Sequence, residues 1–258
     1  MSATPAVQNP PDAYESSQIV AQYLVFHYGS PELRMPWDFG PREMKTFPDA
    51  CVDFLREVGH PPPGRALDVG CAVGAASFIL SSFCEEVVGV DYSRAFIEVA
   101  ESLREQHQIS RQLDSCGEPP QSATFTIPTD ARPERIRFAM GDAHALSGVK
   151  GPFSIVLACN LLCRLHHPDR FLNQLPQLMQ PGALLLITTP HTWMEQFTAR
   201  EFWLPEGTDP EAGPLHAIQK CLAPHFTNLA CRDLPFVIRE HRRKFQWSVA
   251  QASLWQRF

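Results

Sequence analysis

Long apolar runs are missing from this 258-residue chain: none approaches the ~18 residues that a membrane span requires, which excludes a transmembrane helix. The segment Met1 to Asp12 has neither the basic start nor the apolar stretch of a signal peptide, so it reads as a disordered tail and the compartment as cytosolic (cytoplasmic). Positive charge is also scarce, with 22 Lys and Arg against 28 Asp and Glu and a formal net charge of −6. That balance opposes non-specific binding to phosphate backbones, so a small-molecule substrate is expected, with no nucleic-acid and no membrane partner. No Cys-x-x-Cys pair occurs among the cysteines at 51, 71, 84, 116, 159, 163, 221 and 231. The scatter suits reduced, mostly buried thiols rather than a disulfide framework, and no metal ion is expected. Internal repeats and long low-complexity tracts are missing too.

What is present is the composition of a globular chain, 44% hydrophobic and 19% charged, with short apolar runs alternating with helical patterns. Helices are predicted over 16–28 and 47–58, the second ending at Gly59 before Pro61 to Pro63. Strands are predicted at 65–69, 86–90, 136–140, 153–158 and 183–188, with helices at about 75–83, 93–106 and 168–179 between them. The stretch 109–135 breaks the pattern and reads as an insertion, with one alternating segment at 123–127 that suits a hairpin. After Trp193 to Trp203 and a Pro/Gly-rich connection come a helix near 215–222 and two further strands, 226–234 and 244–254. Alternation of this kind builds a parallel sheet covered on both faces. The expected fold is α/β, a Rossmann-like doubly wound, mostly parallel seven-stranded sheet. It has an N-terminal helical cover over 13–60 and the insertion before the third strand, all in one domain, 13–258.

Asp68-Val69-Gly70-Cys71-Ala72-Val73-Gly74 lies where the first strand turns into its helix. Gly70 permits a sharp turn, Ala72 keeps the bulk small and Gly74 allows helix and sheet to approach closely, so that a ligand touches backbone. Asp91 follows at the end of the second strand, placed to accept hydrogen bonds from both hydroxyls of a ribose. A dinucleotide fingerprint reads G-x-G-x-x-G; here the pattern is acid-x-G-x-A-x-G, with Asp68 set to receive an ammonium group. This resembles the first motif of class I methyltransferases, with Ala72 in place of the usual middle glycine. The resemblance implies S-adenosylmethionine as cofactor. It also implies that Asp142, in Gly141-Asp142-Ala143, faces the adenine amino group and that Asn160 lies near the cofactor. The cofactor-binding set so expected is Tyr14, Asp68, Gly70, Cys71, Ala72, Gly74, Asp91, Tyr92, Ser93, Asp142, Ala143 and Asn160.

Methyl transfer is an in-line displacement at a sulfonium carbon, governed by positioning, and a nucleophile with a free lone pair needs no base. Residues expected at the reacting centre are Asn160, His27 and Tyr28. Those expected to hold the acceptor are Tyr28, Arg164, His191, Trp193, Arg239 and Lys244. His166-His167 reads as a solvated turn.

At a finer level, Tyr23 to Gly29, Gly70 to Gly74 with Ala76-Ser77-Phe78, Asn160-Leu161-Leu162 with Arg164-Leu165, Pro190 with Thr192-Trp193, and Pro235 to Glu240 with Arg243 to Gln246 resemble the mercaptohistidine N-methyltransferase family, which includes the C-terminal methyltransferase domain of ovothiol synthase. The match runs from about Tyr14 to the C-terminus; Ser30 to Pro41 departs from it. The resemblance implies methylation of an imidazole nitrogen of a small histidine derivative, thiohistidine, as in ovothiol biosynthesis, with an upstream thiohistidine-producing enzyme as partner. Alternatives at this stage are another small O- or N-nucleophile, a peptide histidine, or a non-catalytic cofactor-binding module.

Overall fold

The computed structural model of the protein describes residues 14–113, 117, 121–204 and 215–258. The tail expected over 1–12 and nearly all of the Pro/Gly-rich connection before residue 215 lie outside the described residues. Helix α1 spans Ser17–Tyr28 and starts where the Ser16 hydroxyl accepts the Ile19 N–H. A single turn, α2 (Pro31–Arg34), follows in the segment 30–41, for which no element was predicted. Helix α3 (Phe47–Val58) is capped by Thr46, has Pro48 in its first turn and buries Cys51, Phe54 and Leu55.

The sheet then begins. In chain order its first half is β1 (Ala66–Val69), α4 (Ala75–Ser81), β2 (Val87–Asp91) and α5 (Arg94–Gln106). The insertion is an antiparallel hairpin, β3 (Gln108–Leu113) and β4 (Gln121–Thr126), forming its own two-stranded sheet. Strands β5 (Ile136–Met140) and β6 (Phe153–Cys159), helix α6 (Pro168–Leu178) and β7 (Met179–Thr189) resume the main pattern. Helix α7 (Leu215–Leu222) leads to β8 (Phe226–His241) and β9 (Lys244–Arg257). The seven strands lie in the order β5-β2-β1-β6-β7-β9-β8, with β9 antiparallel to β7 and β8 antiparallel to β9. This is the doubly wound, mostly parallel sheet expected.

Alternate residues of the central strands supply the two faces: Ala66 packs with Phe54, Phe78 and Leu55, while Leu67 packs with Phe171, Leu172 and Trp255. Two differences from the sequence reading bear on the site. Strand β7 starts at Met179, four residues early. Strand β8 runs through Pro235 to His241, where a strand end at Leu234 was predicted. Proline removes a ladder donor, but β8 is the edge of the sheet, where a missing donor breaks no second ladder. The extended β8–β9 hairpin packs beyond the sheet against α1 and α3.

Candidate active site

The turn after β1 places three residues in the left-handed region: Gly70 (φ +75°), Ala72 (φ +47°) and Gly74 (φ +85°). At Gly74 a Cβ would lie 2.6 Å from the Phe138 ring, so this glycine is dictated by packing of α4 on the sheet. At Ala72 the strained backbone is held by Asp91, whose Oδ2 accepts the Ala72 N–H at 2.8 Å while Oδ1 accepts the Ser93 N–H at 2.9 Å. A carboxylate on β2 thus braces a turn on β1. Asp68 is buried and accepts from the Ser77 hydroxyl at 2.7 Å. Burial raises both carboxyls, each to about 6, against the opposing effect of these hydrogen bonds. Without a cation beside them, two carboxylates share the floor of one site.

Across the site, Asp142 Oδ1 accepts the His144 N–H at 2.8 Å and lies 2.7 Å from His144 Nδ1, while His144 Nε2 accepts the His167 N–H at 3.1 Å. These two bonds select the tautomer with its proton on Nδ1. Asn160, at φ +53°, is held by Thr188: its N–H donates to the Thr188 carbonyl at 2.8 Å, and its Oδ1 accepts the Thr188 hydroxyl at 3.0 Å. Arg164 donates through Nε to the Tyr14 hydroxyl at 3.2 Å and through Nη1 to the Thr192 carbonyl at 3.2 Å, and its guanidinium lies 4.9 Å above the Phe197 ring. Three segments distant in sequence meet there.

A cavity of about 270 Å³ runs between these groups. Of the residues expected to hold the cofactor, Tyr14, Asp68, Gly70, Cys71, Ala72, Asp91, Tyr92, Ser93, Asp142, Ala143 and Asn160 line it. His27 and Arg164 line it too. The others stand elsewhere, each for a physical reason. Gly74 lies behind the turn. The Tyr28 hydroxyl donates to the Val73 carbonyl at 2.8 Å, so Tyr28 supports the loop from behind rather than meeting an acceptor. His191 Nε2 is 3.2 Å from Gln251 Oε1, and Trp193 stacks against Trp203 at 6.5 Å beside the second core. Arg239, only 7% exposed, donates to the Leu33 carbonyl at 2.7 Å and to Gln121 Oε1 at 3.3 Å. Lys244 pairs with Glu240 at 2.7 Å near the exposed hairpin tip. Arg239 and Lys244, expected to hold the acceptor, are therefore not among the residues that line the cavity.

Residues passed over in the sequence complete the wall. Phe26, Phe47 and Phe236 form a cluster, with ring centroids 5.8 Å apart for Phe26 and Phe47 and 4.9 Å for Phe47 and Phe236. Tyr23, Phe96 and Phe197 add further rings, and Cys159, Cys163, Ile238, Gln246 and Ser248 fill between them. The aromatic residues and Ile238 read as core in a periodicity analysis, whereas Gln246 and Ser248 are polar strand positions; the return of β8 and β9 over α1 and α3 brings them to one cavity.

A glycine-bearing turn braced by an acid on the next strand, under a sheet with an antiparallel last pair, defines a class I methyltransferase fold. Residues 42–227 match the methyltransferase domain family, and the chain belongs to it. The 2-methyl-6-phytyl-1,4-hydroquinone methyltransferase of Synechocystis sp. is 26% identical over 187 residues, 69% of this chain and 47% of that protein. A ubiquinone biosynthesis O-methyltransferase of Cereibacter sphaeroides is 25% identical over 167 residues, 61% of this chain and 58% of that one. The chain spans about half the length of the curated relatives it matches. Among solved structures, the N-methyltransferase NodS of Bradyrhizobium japonicum, in complex with S-adenosyl-L-homocysteine, superposes with a TM-score of 0.51 at 15% identity, covering 90% of this chain and 98% of that one. That likeness is one of fold.

Proposed function

We propose that this methyltransferase domain takes its methyl group from S-adenosylmethionine and gives it to a ring nitrogen of a small histidine derivative, thiohistidine being the leading acceptor. The observation that supports the reading is a cavity with a polar cofactor end and an aromatic acceptor end, in which the two lining imidazoles among the described residues are His144, engaged at both ring nitrogens by Asp142 and the His167 N–H, and His27. The acids Asp68, Asp91 and Asp142 belong to the cofactor end. At the acceptor end the titratable imidazole is His27, and burial drives it down to about 3, too weak a base to deprotonate a phenol. An imidazole nitrogen arrives with its lone pair free and needs no base.

The residues present fit the cofactor. Gly70 takes the left-handed turn with a Cβ position only 3.0 Å from the Leu161 side chain, Asp91 lies at the ribose side, and buried Asp68 gains a partner from an ammonium group. Bound S-adenosylmethionine supplies an electrophilic methyl on a cationic sulfur. The chain's own residues do the rest. Thr188 fixes Asn160 at the junction of the two ends, and Tyr14, Arg164 and Phe197 together shield one wall from water. Arg164 uses Nε and Nη1 in the hydrogen bonds described above, and Nη2 has no hydrogen bond among the described residues. It is the cation suited to a substrate carboxylate, in place of Arg239 and Lys244.

The curated relatives carry names that point to phenolic acceptors, and the aromatic wall also suits a quinol, which makes quinol O-methylation the second reading. An acceptor panel of thiohistidine, histidine, a histidine-containing peptide and a dihydroquinone, with S-adenosylhomocysteine release and product mass as readouts, separates the two. Thiohistidine is expected to be methylated fastest, because its anionic sulfur enriches the ring in electrons. Faster turnover of the dihydroquinone or of the peptide overturns the acceptor assignment.

A further inference from the structure

One face of the β8–β9 hairpin walls the acceptor end of the cavity. In the antiparallel register Phe236 stands opposite Ser248 and Ile238 opposite Gln246. Side chains paired across two strands share a face, so the apolar pair on β8 and the polar pair on β9 point the same way, and all four residues line the cavity. The Phe236 ring packs against Phe26 at 5.7 Å and Phe47 at 4.9 Å between centroids, which identifies that face as the aromatic one. Ser248 is half-buried there, and its hydroxyl has no hydrogen bond among the described residues. Gln246 is exposed as well as lining, which puts it at the rim. Its Nε2 donates to Glu240 Oε1 at 2.9 Å, while Lys244 holds Glu240 Oε2 at 2.7 Å and keeps that carboxyl below its ordinary range. An ionised carboxylate only accepts, so the amide must turn its nitrogen to Glu240, and Oε1 is the atom left for a ligand.

We propose that Gln246 and Ser248 hold the amino group of the acceptor: Gln246 Oε1 and Ser248 Oγ each accept an N–H of its α-ammonium group, which selects a free amino acid over the same ring in a peptide. This rests on the proposed histidine-derived acceptor and deepens it. A free amino acid is a zwitterion at neutral pH, and the Arg164 guanidinium answers its carboxylate alone. The acids Asp68, Asp91 and Asp142 belong to the cofactor end, so the ammonium group needs oxygen acceptors elsewhere. Uncharged acceptors suffice at a rim, where the third N–H stays in water. They also discriminate, because a histidine within a peptide has one amide N–H where the free amino acid has three N–H donors and a positive charge. With the imidazole against Phe26, Phe47 and Phe236, the amino group points to the rim and the reacting nitrogen away from it. Gln246 and Ser248 touch the substrate and determine specificity; neither takes a proton nor meets the methyl group.

The test compares thiohistidine with its des-amino analogue, the same thiolated imidazole on a propionate chain. Both are assayed with S-adenosylmethionine in the wild type, Gln246→Leu and Ser248→Ala, and S-adenosylhomocysteine affinity is the check on folding. The wild type is expected to show a KM for thiohistidine about tenfold below that for the analogue. Gln246→Leu should raise KM for thiohistidine about tenfold and leave KM for the analogue unchanged, and Ser248→Ala should act in the same direction by a smaller factor. A Gln246→Leu protein that weakens for both acceptors alike has suffered a structural effect, and one that weakens for neither has lost nothing; either result overturns the assignment of Gln246. An unchanged KM in Ser248→Ala overturns that of Ser248. A wild type that methylates both imidazoles with equal KM overturns the inference while leaving the imidazole reading in place. One that methylates only the dihydroquinone overturns that reading and this inference together.

Discussion

At the residue scale, the carboxyls of Asp68 and Asp91 set the protein's response to pH. Burial is the leading cause at both, and it places them near 6, well above the ordinary carboxylate range. On the proposed reading Asp68 faces an ammonium group and must be ionised to hold it. S-adenosylhomocysteine affinity is then expected to fall about tenfold between pH 7 and pH 5, followed by calorimetry, as protonation through 6 removes the charge. Asp68→Asn should flatten most of that slope; a wild-type affinity level across the range overturns the assignment. The same shift has the opposite sign for folding. A carboxyl raised in the folded state contributes stability that is fully present below its unfolded value near 3.8 and lost as pH rises through 6, so the empty protein keeps these groups at the expense of stability near neutrality. Both acids were legible from their spacing, because the turn and the following strand end are local features. The mutual bracing of Asp91 and Ala72 was not, since it crosses from one strand to its neighbour.

At the element scale, the N-terminal helices and the hairpin insertion behave as parts of one core. Leu24 and Val25 of α1, Leu55 of α3 and Ile109 and Phe125 of the hairpin share a single buried cluster. The sequence reading of α1 as a cover had the right periodicity. It did not contain the β8–β9 hairpin that returns against the helix. Arg239 shows the difference most clearly. On β8 it ties the end of α2, through the Leu33 carbonyl, to β4 through Gln121. Arg239→Ala removes hydrogen bonds made by a buried charged donor, one of them to the partly buried Leu33 carbonyl, so a loss of about 1.5–3 kcal/mol in unfolding free energy is expected. Denaturant titration measures it, alongside KM for the acceptor. A large rise in KM with unchanged stability restores Arg239 to the substrate.

At the scale of the whole molecule, the cavity is bounded by residues from almost every part of the chain, from Tyr14 to Ser248. A ligand that joins so many segments stabilises them together. S-adenosylhomocysteine at one hundred times its Kd adds about 2.7 kcal/mol. For a chain of this length, that is a rise in Tm of roughly 5–10 °C, at ~2–4 °C per kcal/mol. Scanning calorimetry with and without the ligand reads it directly, and no rise at saturation overturns cofactor binding at this site. The amino-acid sequence by itself determined the order of strands and helices and the glycine-bearing turn with its two acids. Hydrophobic period, glycine placement and short-range spacing act over a few residues and survive in a linear text. Only the tertiary structure decided which side chains face the cavity. Phe26, Phe47 and Phe236 have the same apolar character whether they fill a core or wall a site. Arg164 lines the cavity and Arg239 does not, because the edge strand β8 runs on past Pro235, which packs Arg239 against α2 and the hairpin and brings Phe236 and Ile238 to the cavity. That outcome depends on pairings between β8 and β9 that run across the full length of the hairpin, and no local pattern in the chain encodes which face of it is left open.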